Sequence, residues 1–184
     1  MVTRFVPGGY QPEHAGETTV QRVRRAVEGL GDLIDDYEFH YPGELSHENL
    51  DEVREALDGH GIYTVCTGLH LDPRFGRGGL VSPDPAVRAE ARRVTRETAE
   101  LAGEVGANMV CWPGIEGYNY PFQTPYAESW EWFLEGIAEA AEVCGRHSTG
   151  TASTRSAPGS ISTRASAAAA SSRRSRRSAP RPCG

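Results

Sequence analysis

Four times in succession, residues 1–144 pass from a short apolar run through a glycine- or proline-marked loop into a helix-period pattern. Thr3 to Val6 reads as a first strand, stopped by Pro7-Gly8-Gly9. Thr18 or Thr19 then caps a helix with Val20, Val23, Val27 and Leu30 on one face, ending near Gly29 and Gly31. Asp36 to Tyr41 reads as a second strand, stopped by Pro42-Gly43. Ser46 is expected to cap the next helix, which carries Leu50, Val53 and Leu57 and ends at Gly59 and Gly61. Ile62 to Thr67, β-branched and apolar, reads as a third, buried strand, followed by a long loop from Gly68 to Pro83. Asp84-Pro85 opens a helix in the cap-plus-proline manner, with Val87, Ala91, Val94, Thr98, Leu101 and Val105 on its apolar face and Gly106 at its close. Asn108 to Trp112 is the fourth strand. Thr124-Pro125 opens a last helix with Trp130, Phe133, Leu134 and Ile137, closing near Gly145, and Trp130 is expected in the core.

Strands alternating with helices of this length predict an α/β fold with parallel strands and right-handed crossovers. Two architectures fit, an open doubly wound sheet and a barrel. No G-x-G-x-x-G follows any strand, which weighs against a dinucleotide site. In both architectures the ligand lies at the carboxyl ends of the strands.

Charge divides the chain. Residues 1–144 hold all 25 acidic residues against 11 arginines, a net −14, whereas residues 145–184 hold 8 arginines and no acid. The second segment also has 10 serines and 8 alanines, with Ile161 its only large aliphatic residue. Too little apolar surface is available there to offset the entropy of ordering, so a domain at 1–144 and a disordered tail at 145–184 are expected. A shifted reading frame would explain so abrupt a change, and a natural Ser/Arg linker is the alternative; resequencing the gene around codon 145 separates them. The opening MVTRFVPGGY lacks a basic region followed by an apolar stretch, so no signal peptide is expected. Apolar runs are far shorter than the roughly 20 residues of a membrane span. The four cysteines show no metal-type pairing. Buried free thiols in a reducing cytoplasm are therefore expected.

Side chains able to do chemistry cluster just after the strands. His40 ends the second; His70, Asp72 and Phe75 follow the third; Trp112, Glu116, Tyr118 and Tyr120 follow the fourth. A parallel α/β fold places all of them on one rim. Histidine, carboxylates and aromatic rings suit a small polyhydroxylated ligand, the rings packing on C–H faces and the polar groups bonding hydroxyls. Each also has a plainer reading: His40 as a satisfied strand-end histidine, Trp112 as a cover for the sheet, His70 and Asp72 as solvated loop residues, Glu116 as a turn former. His14, His47 and His60 read as surface residues. No nucleophile elbow, P-loop or zinc signature occurs.

Three stretches resemble the xylose isomerase and sugar phosphate isomerase/epimerase barrels. Tyr37-Glu38-Phe39-His40 is similar to the family's strand-two ending, and Asp72-Pro73-Arg74-Phe75-Gly76-Arg77-Gly78-Gly79-Leu80 to its loop after strand three. Val110-Cys111-Trp112-Pro113-Gly114-Ile115-Glu116-Gly117-Tyr118 is similar to its strand-four motif. The resemblance covers residues 1–144 and implies the first four βα units of a (β/α)8 barrel, in an aldose–ketose isomerase or epimerase. It implies that His40 assists opening of the sugar ring, that Trp112 walls the substrate, and that Phe75, His70 and Glu116 border it. It also implies two divalent cations (magnesium, manganese or cobalt) acting as Lewis acids.

Departures from the family pattern shape the expectation. The aspartate that orients the histidine in xylose isomerases falls here at Gly43, with Glu44 the only near substitute, so His40 is expected to be poorly supported. His70 stands where the family has an apolar ring. The family's metal ligands come from strands five to eight, and residues 145–184 hold no Asp, Glu or Lys to replace them, so no tightly bound metal is expected. A barrel complete in one chain needs about 250 residues. This chain of 184 is therefore expected to be truncated, with sheet edges open to pairing with another copy. A C-glycoside deglycosidase or metal-dependent endonuclease on the same barrel, or an inactive fragment, is the alternative; the −14 body disfavours nucleic acid, since phosphate binding needs a basic rim.

Overall fold

The computed structural model describes residues 12–116 and 125–148 of the chain. Its three strands are β1 (Asp36–Tyr41), β2 (Gly61–Thr67) and β3 (Asn108–Val110), hydrogen-bonded in the order β1-β2-β3 and parallel throughout. They are the second, third and fourth of the expected strands; Thr3 to Val6 lies outside the described residues. The helices are α1 (Thr19–Leu30), α2 (Leu50–Ala56), α3 (Pro85–Val105) and α4 (Tyr126–Ser148). A helix stands between each pair of parallel strands, as the alternating pattern requires.

Local chemistry accounts for most of the boundaries. Thr18 and Gln21 form a reciprocal capping box at the start of α1. Asp84 accepts the Ala86 N–H, and Pro85 supplies a preset φ at the first helical position of α3. Gly106, at φ 69°, closes α3 in the left-handed conformation that glycine adopts without a Cβ penalty. Ser46 does not cap α2, contrary to expectation. Its N–H instead donates to Asn49 Oδ1, while Asn49 Nδ2 donates to the Glu44 carbonyl, so a turn precedes the helix and Asn49 holds the cap position.

Alternation along β1 separates its two faces. Tyr37, Phe39 and Tyr41 join Val65 of β2, Leu50, Val53 and Ala56 of α2, and Ala91, Val94 and Leu101 of α3 in the main core. Leu57, just beyond α2, belongs to the same cluster. Phe39, Val53 and Val65 are fully buried, each removing apolar surface from water for about 1.5–3 kcal/mol. Tyr41 donates to Glu97 Oε2 of α3 at 2.9 Å, and burial first, then that carboxylate, pushes its hydroxyl pKa up to about 12. Glu38 and His40 take the other face of β1, the one that lines a barrel's interior.

Three differences from the expected pattern concern the last unit. β3 stops at Val110, because the Trp112 N–H donates to Thr67 Oγ1 rather than to a strand carbonyl. Residues 145–148, expected in the tail, extend α4 by one turn. Residues 149–184, where the remaining tail was expected to be disordered, lie outside the described residues. Trp130 is not in the core: it is 60% exposed and stacks on Phe133, while Phe133 and Ile137 pack against the core instead. Of the expected thiols, Cys66 is buried and Cys111 and Cys144 half-buried, and no disulfide joins them; Cys183 lies outside the described residues. Among the described residues no helix is long and apolar enough to cross a membrane.

Candidate functional site

His40 sits one residue before the end of β1, opposite Cys66 in the register. The chain then turns through Pro42 and Gly43, and the N–H groups of Glu44 and Leu45 both donate to the His40 carbonyl, at 2.9 and 3.1 Å. That turn folds the Glu44 side chain back. Its Oε2 accepts the His40 N–H at 2.8 Å and stands 3.1 Å from His40 Nδ1. Both side chains are almost wholly buried. The expectation of a poorly supported His40 is therefore corrected: the orienting carboxylate comes four residues on, from Glu44, because the turn returns that position to the histidine. A carboxylate on Nδ1 selects the tautomer and directs Nε2 away from it.

Two more rings meet at this end of the sheet. His70, in the single turn Leu69–Leu71 after β2, lies with its ring centroid 5.0 Å from that of His40 at an interplanar angle of 65°. Trp112, two residues after β3, is 6.2 Å from His70 at 46°. Close backbone contact sets this geometry. The Gly68 N–H donates to the Tyr41 carbonyl at 2.8 Å, and a Cβ on Gly68 would stand 2.5 Å from that oxygen. Only glycine lets the ends of β1 and β2 approach so closely. Trp112 remains half exposed, its indole over Gly114.

The other expected site residues have different surroundings. The Glu116 carboxylate accepts the N–H groups of Gly79, Leu80 and Val81, at 2.9 to 3.1 Å. Both oxygens expected to meet a sugar hydroxyl are thus engaged by the loop before α3. Phe75 is buried in the core and borders a cavity of about 160 Å³ with Tyr41, Pro42, Leu69 and Val94. It keeps company with the helix-facing side of β1, not with the His40–His70–Trp112 rings. Asp72 accepts the Arg74 N–H and bonds its guanidinium, which holds the Asp72 carboxyl below the usual carboxylate range. Tyr118 and Tyr120 lie outside the described residues.

Sequence reasoning expected His40, His70, Phe75, Trp112 and Glu116 on one rim; the rings of His40, His70 and Trp112 do meet, whereas Phe75 goes to the core and Glu116 to backbone amides, and Glu44 was undervalued. The signal for Glu44 was present: a carboxylate four residues after a strand-end histidine, across a proline–glycine turn. Among the described residues no group of three His, Cys, Asp or Glu side chains is placed to hold a metal ion. With Glu44 on His40 and Glu116 on backbone amides, the described residues do not fit the divalent cations that the resemblance implies.

Comparison with known proteins adds the family. The chain is 39% identical over 87 residues to the xylose isomerase of Thermus thermophilus, a match covering 46% of this chain and 22% of that protein. It is 24% identical over 164 residues to the L-ribulose-5-phosphate 3-epimerase UlaE of Shigella flexneri, covering 79% of this chain and 52% of that one. The crystal structure of the Escherichia coli 3-keto-D-glucoside 4-epimerase YcjR, in its apo form, superposes with a TM-score of 0.52 at 18% identity, over 72% of this chain and 49% of that one; at that identity the likeness speaks for the fold alone. The chain thus spans about half the length of the two epimerases, and its match to the xylose isomerase about a fifth of that enzyme. The sequence profile of the xylose isomerase-like TIM barrel matches residues 25–151, more than half of the chain, and the chain belongs to that family.

Proposed function

We propose that this chain carries the ring-binding and proton-transfer side of a sugar isomerase or epimerase site. The observation that carries the reading is the buried Glu44–His40 pair, with its 3.1 Å contact, beside the His70 and Trp112 rings at the strand ends. Glu44 takes the Nδ1 side of His40, so Nε2 is the nitrogen that exchanges a proton with a sugar ring oxygen or hydroxyl. The half-exposed Trp112 ring offers an apolar wall to the C–H face of the sugar, and His70 adds a hydroxyl partner between them. Phe75 acts behind this wall, as core. The substrate class is a small aldose or ketose, free or phosphorylated.

Titration of the protein with aldopentoses and ketopentoses, read by His40 and His70 imidazole resonances and by indole fluorescence, tests the reading. Saturable shifts at those imidazoles are expected, weakened at least tenfold in Trp112→Ala. Sugars that leave both imidazoles and the indole signal unmoved would sink it.

A further inference from the structure

We propose that Glu116 is a positioning residue for the sugar wall: its grip on Gly79, Leu80 and Val81 fixes the turn that carries the Trp112 indole, and so sets how that ring stands to His70. Glu116 Oε2 accepts the N–H groups of Gly79 and Val81, each at 3.1 Å, and Oε1 accepts that of Leu80 at 2.9 Å. Consecutive backbone N–H groups aimed at one point form an anion-binding concavity, and here the anion is a side chain of the same chain. From Glu116 the backbone leads to the ring within one turn. The Glu116 N–H donates to the Pro113 carbonyl at 3.0 Å. The indole lies over that turn: a Cβ on Gly114 would stand 2.5 Å from Trp112 Nε1 and 3.0 Å from Cδ1. On the strand side, the Trp112 N–H donates to Thr67 Oγ1 at 3.3 Å. Both anchors belong to the stretch that carries His70: Thr67 ends β2, His70 follows it, and the amides at 79–81 come next.

Packing joins the two ring-bearing loops at the same point. A Cβ on Gly79 would stand 3.0 Å from Leu69 Cδ1, 3.1 Å from Glu116 Oε1 and 3.3 Å from Ile115 Cδ1. Leu69 is buried and directly precedes His70, and Ile115 directly precedes Glu116. Gly79 is therefore the node at which the loop bearing His70 meets the loop bearing Trp112. Trp112 itself is 51% exposed, so its orientation depends on this base more than on burial. A wall already in place spares the cost of ordering it when a ligand arrives. The grip requires a charge. A carboxylate offers both oxygens as acceptors, whereas a glutamine amide keeps one acceptor and turns an NH2 group toward a backbone N–H. That the ring so placed serves a sugar rests on the reading above; its placement does not.

Glu116→Gln and Gly79→Ala test this in the full chain without ligand, with histidine and tryptophan isotope-labelled for magnetic resonance. In the wild type, cross-relaxation between the His70 and Trp112 ring protons is expected, the centroids being 6.2 Å apart. Glu116→Gln should weaken it at least threefold. Gly79→Ala keeps the carboxylate but crowds its neighbours, and should shift the signals of the same two rings. In both variants the far-ultraviolet circular dichroism spectrum and the His40 amide signal, which Glu44 sets, should stay as in the wild type, separating loss of position from loss of fold. Added ketopentose should then bind Glu116→Gln at least fivefold more weakly. Ring signals at wild-type values in both variants, a His40 amide that moves with them, or undiminished sugar affinity in Glu116→Gln would each overturn the proposal. A wild type that takes up no sugar sinks the sugar reading instead, and the ligand-free rings still decide whether Glu116 positions Trp112.

Discussion

Glu44 Oε2 bonds both the backbone N–H and the ring of His40, at 2.8 and 3.1 Å, across a turn that separates the two residues by four positions. One carboxylate oxygen thus fixes the end of β1 and the orientation of the imidazole together.

Removing that carboxylate should be felt in stability as well as in ligand binding. Glu44→Ala leaves a buried N–H and a buried ring nitrogen without this acceptor, a loss of about 1–3 kcal/mol. Glu44→Gln keeps an acceptor for the N–H and should cost less. Urea denaturation of the two variants measures the difference, and equal losses would contradict it.

The Glu116 clamp makes a second prediction. Three backbone N–H groups of the loop at 79–81 lose their acceptor in Glu116→Ala. Hydrogen bonds to a charged group are worth about 1.5–3 kcal/mol each at most, and they are not additive. Hydrogen exchange at Gly79, Leu80 and Val81 should accelerate at least tenfold, while exchange in β1 stays nearly unchanged.

Thiol reactivity follows from burial. Desolvation pushes Cys66 up to about 12, aided by Glu38, and Cys111 up to about 11. Since the thiolate is the nucleophile, alkylation of these two at pH 8 should run roughly 10²–10³-fold slower than for an ordinary exposed thiol. Peptide mapping after a timed iodoacetamide pulse reads this directly, and prompt labelling of Cys66 would contradict the burial.

His60 supplies a pH dependence. Its ring bonds the Leu57 carbonyl at 2.7 Å and the Gly31 carbonyl at 3.3 Å, and these acceptors raise its pKa above the usual histidine value. A pKa raised on folding adds stability that is fully present below the unfolded value of about 6.5 and is lost as pH rises through the folded value. The melting temperature should therefore fall slightly as pH rises from 6 toward 8, and His60→Gln should remove that part of the slope.

Much of the fold was legible in short windows. Asp36–Tyr41 as a strand, Asp84-Pro85 as a helix start and Gly106 as its stop all appear as read, and of the two threonines offered as a cap it is Thr18 that serves. The site was legible in part: of the residues expected on one rim, His40, His70 and Trp112 meet there while Phe75 and Glu116 do not, and the pairing of Glu44 with His40 depended on the path of a turn. The Ser46 cap failed because Asn49 holds the cap position and its side chain takes the Ser46 N–H. Trp130 was misplaced because helical spacing marks one side of a helix without saying whether a neighbour covers it.

Periodicity, capping residues and glycine positions act over a few residues, so the order and type of the elements follow from the chain alone. The partners of its polar side chains do not. Glu116 reaches amides 35 to 37 residues away, and Trp112 reaches Thr67 across 45. Such contacts depend on which backbone groups remain unpaired once strands and helices have packed, a quantity that exists only in three dimensions.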